Sequence, residues 1–376
     1  MIRLVVPIFG VLCALIVQRS ARAASPDKLD LRGQRIVFLG DSITDGNSYP
    51  LLIRQALAEA RIEPPTLINA GIGGDTAAGM LKRLERDVLV HKPTLVTLSA
   101  GINDVMHKVS PADYEASVTA IATQLAAKNI PLLILTTSII DAKHGDADSR
   151  LEPYNAALRA FAAKSNLRLA DINAAMNAAR TAGAEKILED DGIHPNYFGH
   201  RVIARTVLDA LGYADVPLPK TFSVELMPGV VRKWQVRKAP EKSAELDAGT
   251  VAALVPDDAW TTIRIPEKEA LPHWWQDQER QRGFVMSLEN TYGKGAACQA
   301  YATLGMPKAA KAFINTGAQV RSVWLNGERI YKIGAEYTGW HPGRDRIPVT
   351  LNAGSNTIVL ETGAQFFLSI TETNTW

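Results

Sequence analysis

The feature that most constrains the fold is an alternation of two kinds of segment between about residues 33 and 213. Short apolar runs rich in β-formers lack a clean polar alternation, which is typical of strands covered on both faces in a parallel sheet. Between them, apolar residues recur at helical spacing, as at Ile53, Leu57 and Ala60. The pattern predicts a three-layer α/β/α domain with a flavodoxin-like, parallel five-stranded sheet. The predicted strands cover residues 35–40, 66–70, 94–100, 130–138 and 167–172.

Beyond about residue 212 the pattern changes to short alternating runs bounded by turn residues. The Asn326-Gly327 pair between two such runs is a strong signal for a two-residue hairpin. Many short strands at this spacing predict an all-β jelly roll or sandwich. The predicted organisation is a signal peptide over 1–23, an α/β domain over 24–215, a linker over 216–220 and a β-sandwich over 221–376.

Composition excludes some classes of partner and indicates a compartment. The 376 residues carry a net charge of +2, which favours neither nucleic acid nor an anionic membrane as a partner. Arg3, the apolar run 4–17 and the small residues Ala21 and Ala23 predict a cleaved export signal, so we expect a secreted or periplasmic protein without a stable membrane anchor. Only Cys298 remains after cleavage, which excludes an intramolecular disulfide.

Right-handed crossovers place the carboxyl ends of all parallel strands at one edge, where such sheets bind ligands. The segments that follow the strands are therefore the informative ones. The first strand runs into "GDSITDG", which puts Ser42 at a strand-to-helix turn. Glycine, aspartate and serine are ordinary turn residues, but this turn is also where an acyl-transfer nucleophile would sit.

The second and third strands are followed by glycine-rich and asparagine-containing loops. "GIGGDT" resembles a dinucleotide fingerprint, but its third glycine would fall at Thr76, which disfavours that interpretation. The loop is either a plain turn before a helix or a source of a backbone N–H, at Gly74, for an oxyanion. Asn103 in "GIND" is either a turn residue or a side-chain donor at the same edge.

The last segment at this edge, "DDGIHPN", places Asp191 three residues before His194. A serine nucleophile needs a base and a carboxylate that orients the base, and this pair meets both needs. A solvated turn is the alternative for this segment alone. A metal site is a further alternative, but no ligand spacing supports it, and we expect neither metal nor cofactor. Its ligands would come from Asp41, Asp104, Asp191, His194 and His200.

Taken together, the four blocks resemble the SGNH hydrolase superfamily of GDSL-type esterases and lipases. The resemblance covers roughly residues 33–213 and departs at Ile43, where the family's name-giving leucine would stand. It implies a Ser42, His194 and Asp191 triad, and an oxyanion hole formed by Ser42, Gly74 and Asn103. Asp41 and Asp104 are then expected to support the loops.

The region 321–361 resembles the galactose-binding-like modules of carbohydrate-active enzymes, through its Asn-Gly turn and the later residues Gly354, Asn356 and Ile358. The resemblance implies a fold and does not by itself imply sugar binding. Aromatic side chains can stack on sugars or fill a core. The candidate substrate contacts are Asp75, His144, Trp274, Trp275 and Trp340.

We therefore expect an exported serine esterase that hydrolyses short-chain, chiefly acetyl, esters on carbohydrates. The ester substrate is expected to be glycan-linked, by analogy with the attached module. A lipid esterase, lysophospholipase or acyl thioesterase is the main alternative. A non-catalytic glycan-binding envelope protein is the alternative from another class.

Overall fold

The computed structural model describes residues 27–183, 186–220, 222–225, 227–240, 245–264, 268–271, 285–334 and 339–373. The predicted signal peptide and the candidate contacts Trp274 and Trp275 lie outside these residues. No helix among the residues described is both long and apolar enough to cross a membrane.

The first half of the chain forms a parallel sheet with strand order β2-β1-β3-β4-β5, the flavodoxin-like order. The predicted fold and all five strands are confirmed, although three of the strands are shorter than predicted. The strands are β1 (Arg35–Gly40), β2 (Thr66–Gly71), β3 (Leu95–Ser99), β4 (Leu132–Leu135) and β5 (Arg168–Ala170).

Helices cover both faces of this sheet. On one face α2, α9 and α10 pack together, and on the other α6 packs against α3 and α8. The helix bounds are α1 (Ser42–Asp45), α2 (Ser48–Glu59), α3 (Ala77–Lys82), α4 (Leu84–Asp87), α5 (Ile102–Met106), α6 (Pro111–Ala127), α7 (Ala147–Arg150), α8 (Glu152–Lys164), α9 (Ile172–Ala182) and α10 (Tyr197–Ala210), with 3-10 turns at Leu89–His91 and Ala142–His144.

Local sequence explains where these helices begin. The Ser110 side chain accepts from the N–H of Asp113, and Pro111 occupies the first turn, as its fixed φ and missing N–H favour. Val118, Ile121 and Leu125 of α6 are buried in the core. The amphipathic pattern therefore sets the face that packs on the sheet.

The second half is an antiparallel all-β domain, as predicted. Its continuous eight-stranded sheet runs β13-β12-β15-β11-β7-β8, with β10 on β15 and β14 on β12, while β6 and β9 form a separate pair. The bounds are β6 (Phe222–Glu225), β7 (Lys233–Lys238), β8 (Thr261–Arg264), β9 (Lys268–Leu271), β10 (Met286–Ser287), β11 (Cys298–Met306), β12 (Ala310–Leu325), β13 (Glu328–Lys332), β14 (Asp345–Leu351) and β15 (Gly354–Thr371), with short helices α11 (Ala248–Ala252) and α12 (Glu289–Tyr292).

The sequence predicts separate short strands at 311–316, 322–325, 356–362 and 366–373, but these join in two long strands, β12 and β15. β12 joins two predicted strands because the register shifts around Ala318 and Val320 instead of turning back. Ala318 has a φ of 54°, so the interruption is a bulge that keeps the strand in the sheet. The predicted hairpin is confirmed: Asn326 and Gly327 both have positive φ, as a type I′ turn requires, and connect β12 to β13.

The two halves are in direct contact. Ala318 and Phe367 of the β domain belong to the same buried apolar cluster as the α/β core. Phe222 is also buried in that cluster and lies against Tyr197, with ring centroids 6.4 Å apart. The predicted linker runs along α10, where Arg205 donates to the carbonyl of Val216.

Candidate active site

Ser42 occupies the first position of α1, immediately after β1. The Asp41 side chain caps this helix by accepting from the N–H of Ile43 at 3.0 Å. The turn needs glycine at position 40, because a β-carbon there would lie 2.1 Å from Thr44 Oγ1. A tight strand-to-helix turn therefore holds the serine hydroxyl at the carboxyl edge of the sheet.

His194 contacts the Ser42 hydroxyl from the loop before α10, and Asp191 contacts His194 from the same loop. Ser42 Oγ lies 2.8 Å from His194 Nε2, and His194 Nδ1 lies 2.6 Å from Asp191 Oδ2. The other carboxylate oxygen, Asp191 Oδ1, accepts from the N–H groups of Ile193 and His194, both at 2.9 Å. One aspartate thus fixes both the loop and the imidazole that it orients.

The charge on Asp191 determines which ring nitrogen carries the proton. Burial raises the pKa of Asp191, but hydrogen bonds from the Ile193 and His194 N–H groups and from the His194 ring hold it below its ordinary value. An ionised carboxylate only accepts, so Nδ1 is the donor and Nε2 can accept from Ser42. This is the tautomer that a general base needs.

The predicted oxyanion loop is a turn beside the serine. The Asp75 N–H donates to the Ile72 carbonyl at 3.2 Å, and Gly74 at the third position has a φ of 81°, as in a type II turn. A β-carbon added at Gly73 would lie 3.9 Å from Ser42 Cβ. The space beside the Gly74 α-carbon is open, so an incoming oxygen can approach this turn.

Asn103 and Asp104 attach α5 to the same turn. Asn103 Nδ2 donates to the Asp75 carbonyl at 3.0 Å, which uses one of its two N–H groups. Both Asp104 carboxylate oxygens lie 3.2 Å from the N–H of Ala77, the first residue of α3. Burial raises the pKa of Asp104 to about 6. The loops after β2 and β3 are therefore tied together by backbone and side-chain hydrogen bonds.

The other candidate contacts lie around this site in different ways. Both Asp75 carboxylate oxygens are engaged locally, by the Thr76 N–H and by Arg83 at 2.7 Å. His144 Nε2 lies 2.6 Å from the Asp191 carbonyl, so it contacts the loop that carries the triad. Trp340 is half-buried and donates through Nε1 to Gln365. Their substrate contacts remain predictions.

Two residues at this edge were missed by sequence reasoning. Arg83 is buried and donates to the carbonyls of Gly40 and Ala70, near the ends of β1 and β2. Asp45, within the "GDSITDG" stretch, is buried and accepts from groups in both halves of the chain. Its place three residues after Ser42 was the available signal, but nothing local distinguishes it from a turn aspartate.

A cavity lies between the two halves of the chain, apart from the triad. The cavity has a volume of about 310 Å³ and is lined by Asn69, Arg83, His341 and Arg346 among others, and by no triad residue. Within the described part of the chain no three His, Cys, Asp or Glu side chains gather as a group that could hold a metal ion. Ser42, His194 and Asp191 therefore lie outside the lining of this cavity.

The known proteins that this chain resembles include esterases. Residues 38–202 match the model of the GDSL-like Lipase/Acylhydrolase family. The acetylxylan esterase of Geobacillus stearothermophilus is 26% identical over 211 residues, which are 48% of this chain and 95% of that protein. Esterase TesA of Pseudomonas aeruginosa is 26% identical over 168 residues, 43% of this chain and 80% of that protein.

Solved structures cover a similar share of the chain. The Axe2 acetylxylan esterase of Geobacillus stearothermophilus is 24% identical, with 49% of this chain and 97% of that one covered and a TM-score of 0.45. LAE5, an alpha/beta hydrolase enzyme from the metagenome of Lake Arreo, is 28% identical, with 48% and 96% covered and a TM-score of 0.43.

The chain is an ester-bond hydrolase. Its α/β half is a GDSL-like lipase/acylhydrolase domain of the SGNH type, followed by an all-β domain.

We expect Asp41→Asn to gain stability relative to the parent as pH rises from 5 to 8. Burial raises the pKa of Asp41 to about 7, whereas the unfolded aspartate titrates at about 3.9. Between these values the folded protein binds more protons than the unfolded chain, so the parent loses stability as pH rises. Asparagine keeps an oxygen to cap α1 but does not titrate.

The difference in free energy of unfolding between variant and parent should shift by about 1–3 kcal/mol in the variant's favour. Urea unfolding at pH 5 and pH 8 measures it. Asp113→Asn, which changes an exposed carboxylate in the first turn of α6, is the matched control and should show no such trend. A difference that is the same at both pH values would contradict the assignment of a protonated, buried Asp41.

Proposed function

We propose that this chain is an exported serine esterase that removes short acyl groups, chiefly acetyl, from carbohydrates through Ser42, His194 and Asp191. The observation that carries the proposal is the hydrogen-bonded chain Ser42 Oγ, His194 Nε2 and Nδ1, Asp191 Oδ2, with distances of 2.8 and 2.6 Å. Nucleophile, base and orienting carboxylate thus stand in the order that acyl transfer needs.

In the proposed reaction, Ser42 Oγ attacks the ester carbonyl while His194 Nε2 takes the hydroxyl proton. The tetrahedral intermediate then collapses, and the imidazolium gives that proton to the departing alcohol oxygen, which leaves an acyl-serine. A water molecule repeats the sequence: His194 takes its proton, the carboxylic acid leaves, and Ser42 regains a proton. Asp191 stays ionised and stabilises the imidazolium during both acylation and deacylation.

The developing oxyanion is held, in this proposal, by the N–H groups of Ser42 and Gly74 and by Asn103 Nδ2. Support comes from the type II turn at Gly73 and Gly74 beside Ser42 and from the bond that fixes the Asn103 amide to the same loop. Loss of one such donor typically costs about 2.7–4 kcal/mol of transition-state stabilisation.

The openness of the site favours a bulky alcohol group over a sequestered acyl chain. The side chains of His194 and Asp191 are 30% and 44% exposed, so the leaving-group side of Ser42 faces solvent. A polymer that carries acetyl groups can approach such an edge without entering a tunnel. The similarity to an acetylxylan esterase points the same way.

Export completes the proposal. The positive charge at Arg3, the apolar run 4–17 and the small residues at Ala21 and Ala23 fit a signal peptide. The mature chain recovered outside the cytoplasm of an expressing bacterium should begin at Ala24, which N-terminal sequencing can read. A recovered chain that still begins at Met1 would contradict cleavage.

Ser42→Ala should abolish ester hydrolysis while the fold persists, because the variant loses only the nucleophilic oxygen. Turnover of an aryl acetate should fall by about a thousandfold or more. A fluorophosphonate probe should label the parent at Ser42 and leave the variant unlabelled. Ser117→Ala, at a partly exposed serine of α6, is the control that should keep full activity and labelling. Retained turnover by Ser42→Ala would refute the assignment.

A panel of esters tests the substrate. Acetylated xylan and acetylated sugars should be deacetylated, and kcat/KM on aryl esters should fall as the acyl chain grows from acetyl to octanoyl. Release of acetate by chromatography and of the aryl alcohol by absorbance measure the two series, with Ser42→Ala as the blank. Since esterase TesA is also a relative, preference for long acyl chains or phospholipids is the outcome that would replace the carbohydrate proposal.

A further inference from the structure

Asp45 lies at the junction between the two halves of the chain, three residues after the nucleophile. Its side chain is 7% exposed, and it sits at the end of α1 directly above the end of β2. The fit there is close, because a β-carbon at Gly71 would lie 2.2 Å from the Asp45 N–H nitrogen. A buried carboxylate is costly unless hydrogen bonds replace its hydration.

The hydrogen bonds that replace it come mainly from the β domain. Asp45 Oδ1 accepts from the N–H groups of Trp340 and His341, both at 2.9 Å, and from His341 Nδ1 at 3.0 Å. The acceptor is a carboxylate, so Nδ1 carries the proton. His341 is itself only 7% exposed, and this contact joins residues 296 positions apart in the chain.

A further contact of Asp45 runs to the oxyanion turn, while the Trp340 N–H also lies 3.1 Å from Asp45 Oδ2. Asp45 Oδ2 accepts from the Gly73 N–H at 3.3 Å, on the residue that precedes Gly74. The turn is also attached through the Ile72 N–H to the Gly40 carbonyl, through Asn103 to the Asp75 carbonyl, and through Arg83 to the Asp75 carboxylate. Asp45 therefore accepts hydrogen bonds both from this turn and from the β domain.

Steric contacts keep the β-domain loop in this position. Gly339 has a φ of 102°, and a β-carbon there would lie 2.7 Å from the Gly71 carbonyl oxygen. A β-carbon at Gly317 of β12 would lie 2.4 Å from the His341 carbonyl. The loop that carries Trp340 and His341 is thus wedged between its own sheet and the end of β2.

We propose that Asp45 and His341 are positioning residues through which the β domain holds the Gly73–Gly74 turn in the geometry of the oxyanion hole. The inference rests on the proposed esterase function, and it gives the β domain a part in the chemical step besides any binding of substrate. Weakening the contact should let the turn drift away from Ser42. Because the oxyanion forms only after attack, the loss should fall on kcat and leave KM little changed.

Three variants separate the parts of this contact. In the parent both Asp45 carboxylate oxygens accept hydrogen bonds. Asp45→Asn replaces one of them by an NH2 group, which cannot accept. His341→Ala removes only the ring donor and keeps both backbone N–H bonds. His341→Asn restores a side-chain N–H of similar reach. His107→Ala, at an exposed histidine after α5, is the matched control.

Kinetics on an aryl acetate, which needs no sugar contact, provide the first measurement. We expect kcat to fall about tenfold in His341→Ala and about ten- to a hundredfold in Asp45→Asn, with KM within about twofold of the parent. His341→Asn should recover most of the loss, and His107→Ala should match the parent. Hydrogen exchange provides the second measurement: amides in residues 72–76 should exchange faster in His341→Ala and Asp45→Asn.

The outcomes are distinguishable from failure of the proposed function. Absence of any Ser42-dependent hydrolysis by the parent would refute the esterase proposal itself. A Ser42-dependent parent whose His341→Ala variant keeps kcat and parent-like exchange at 72–76 would overturn the positioning role alone. A loss that appears mainly in KM, or that His341→Asn fails to restore, would also overturn it. If Asp45→Asn does not fold, the two His341 variants decide.

Discussion

The site depends on one constraint, which is that the five parallel strands end in register at one edge of the sheet. Gly40 is paired with Gly71 on one side and with Ser99 on the other, and the register continues through Leu135 to Ala170. The loops that leave these strands therefore start at the same height. Ser42, the Gly73–Gly74 turn and Asn103 converge because no strand projects beyond its neighbours.

Buried carboxylates turn that convergence into a defined geometry. Asp41 caps α1, Asp104 receives the N–H of Ala77, and Asp45 receives the N–H of Gly73. Each is an acceptor placed among backbone donors that would otherwise be left unsatisfied at helix starts and turns. Burial raises the pKa of Asp41 to about 7 and that of Asp104 to about 6, although the N–H groups that donate to them act in the opposite direction.

Sequence reasoning was most successful where the signal is local. The presence and order of the five strands of the α/β half follow from short apolar runs, and Asp191 and His194 are close in the chain and in space. It failed where local and tertiary signals differ: the apolar runs on either side of Ala318 are separate in the sequence, but pairing with β15 joins them in one strand through a bulge. Asp45 was missed for the same reason, since its partners lie 295 and 296 residues away.

The same contact bears on how the two halves depend on each other. Within the described residues, the α/β half supplies Asp45 with the Gly73 N–H, while the β domain supplies three donors. Without those three donors the carboxylate would have to recover water, and that change would alter the end of α1 beside Ser42. The family model matches residues 38–202, so Trp340 and His341 lie outside that match. In this protein Asp45, three residues after Ser42, thus accepts most of its hydrogen bonds from residues outside the matched region.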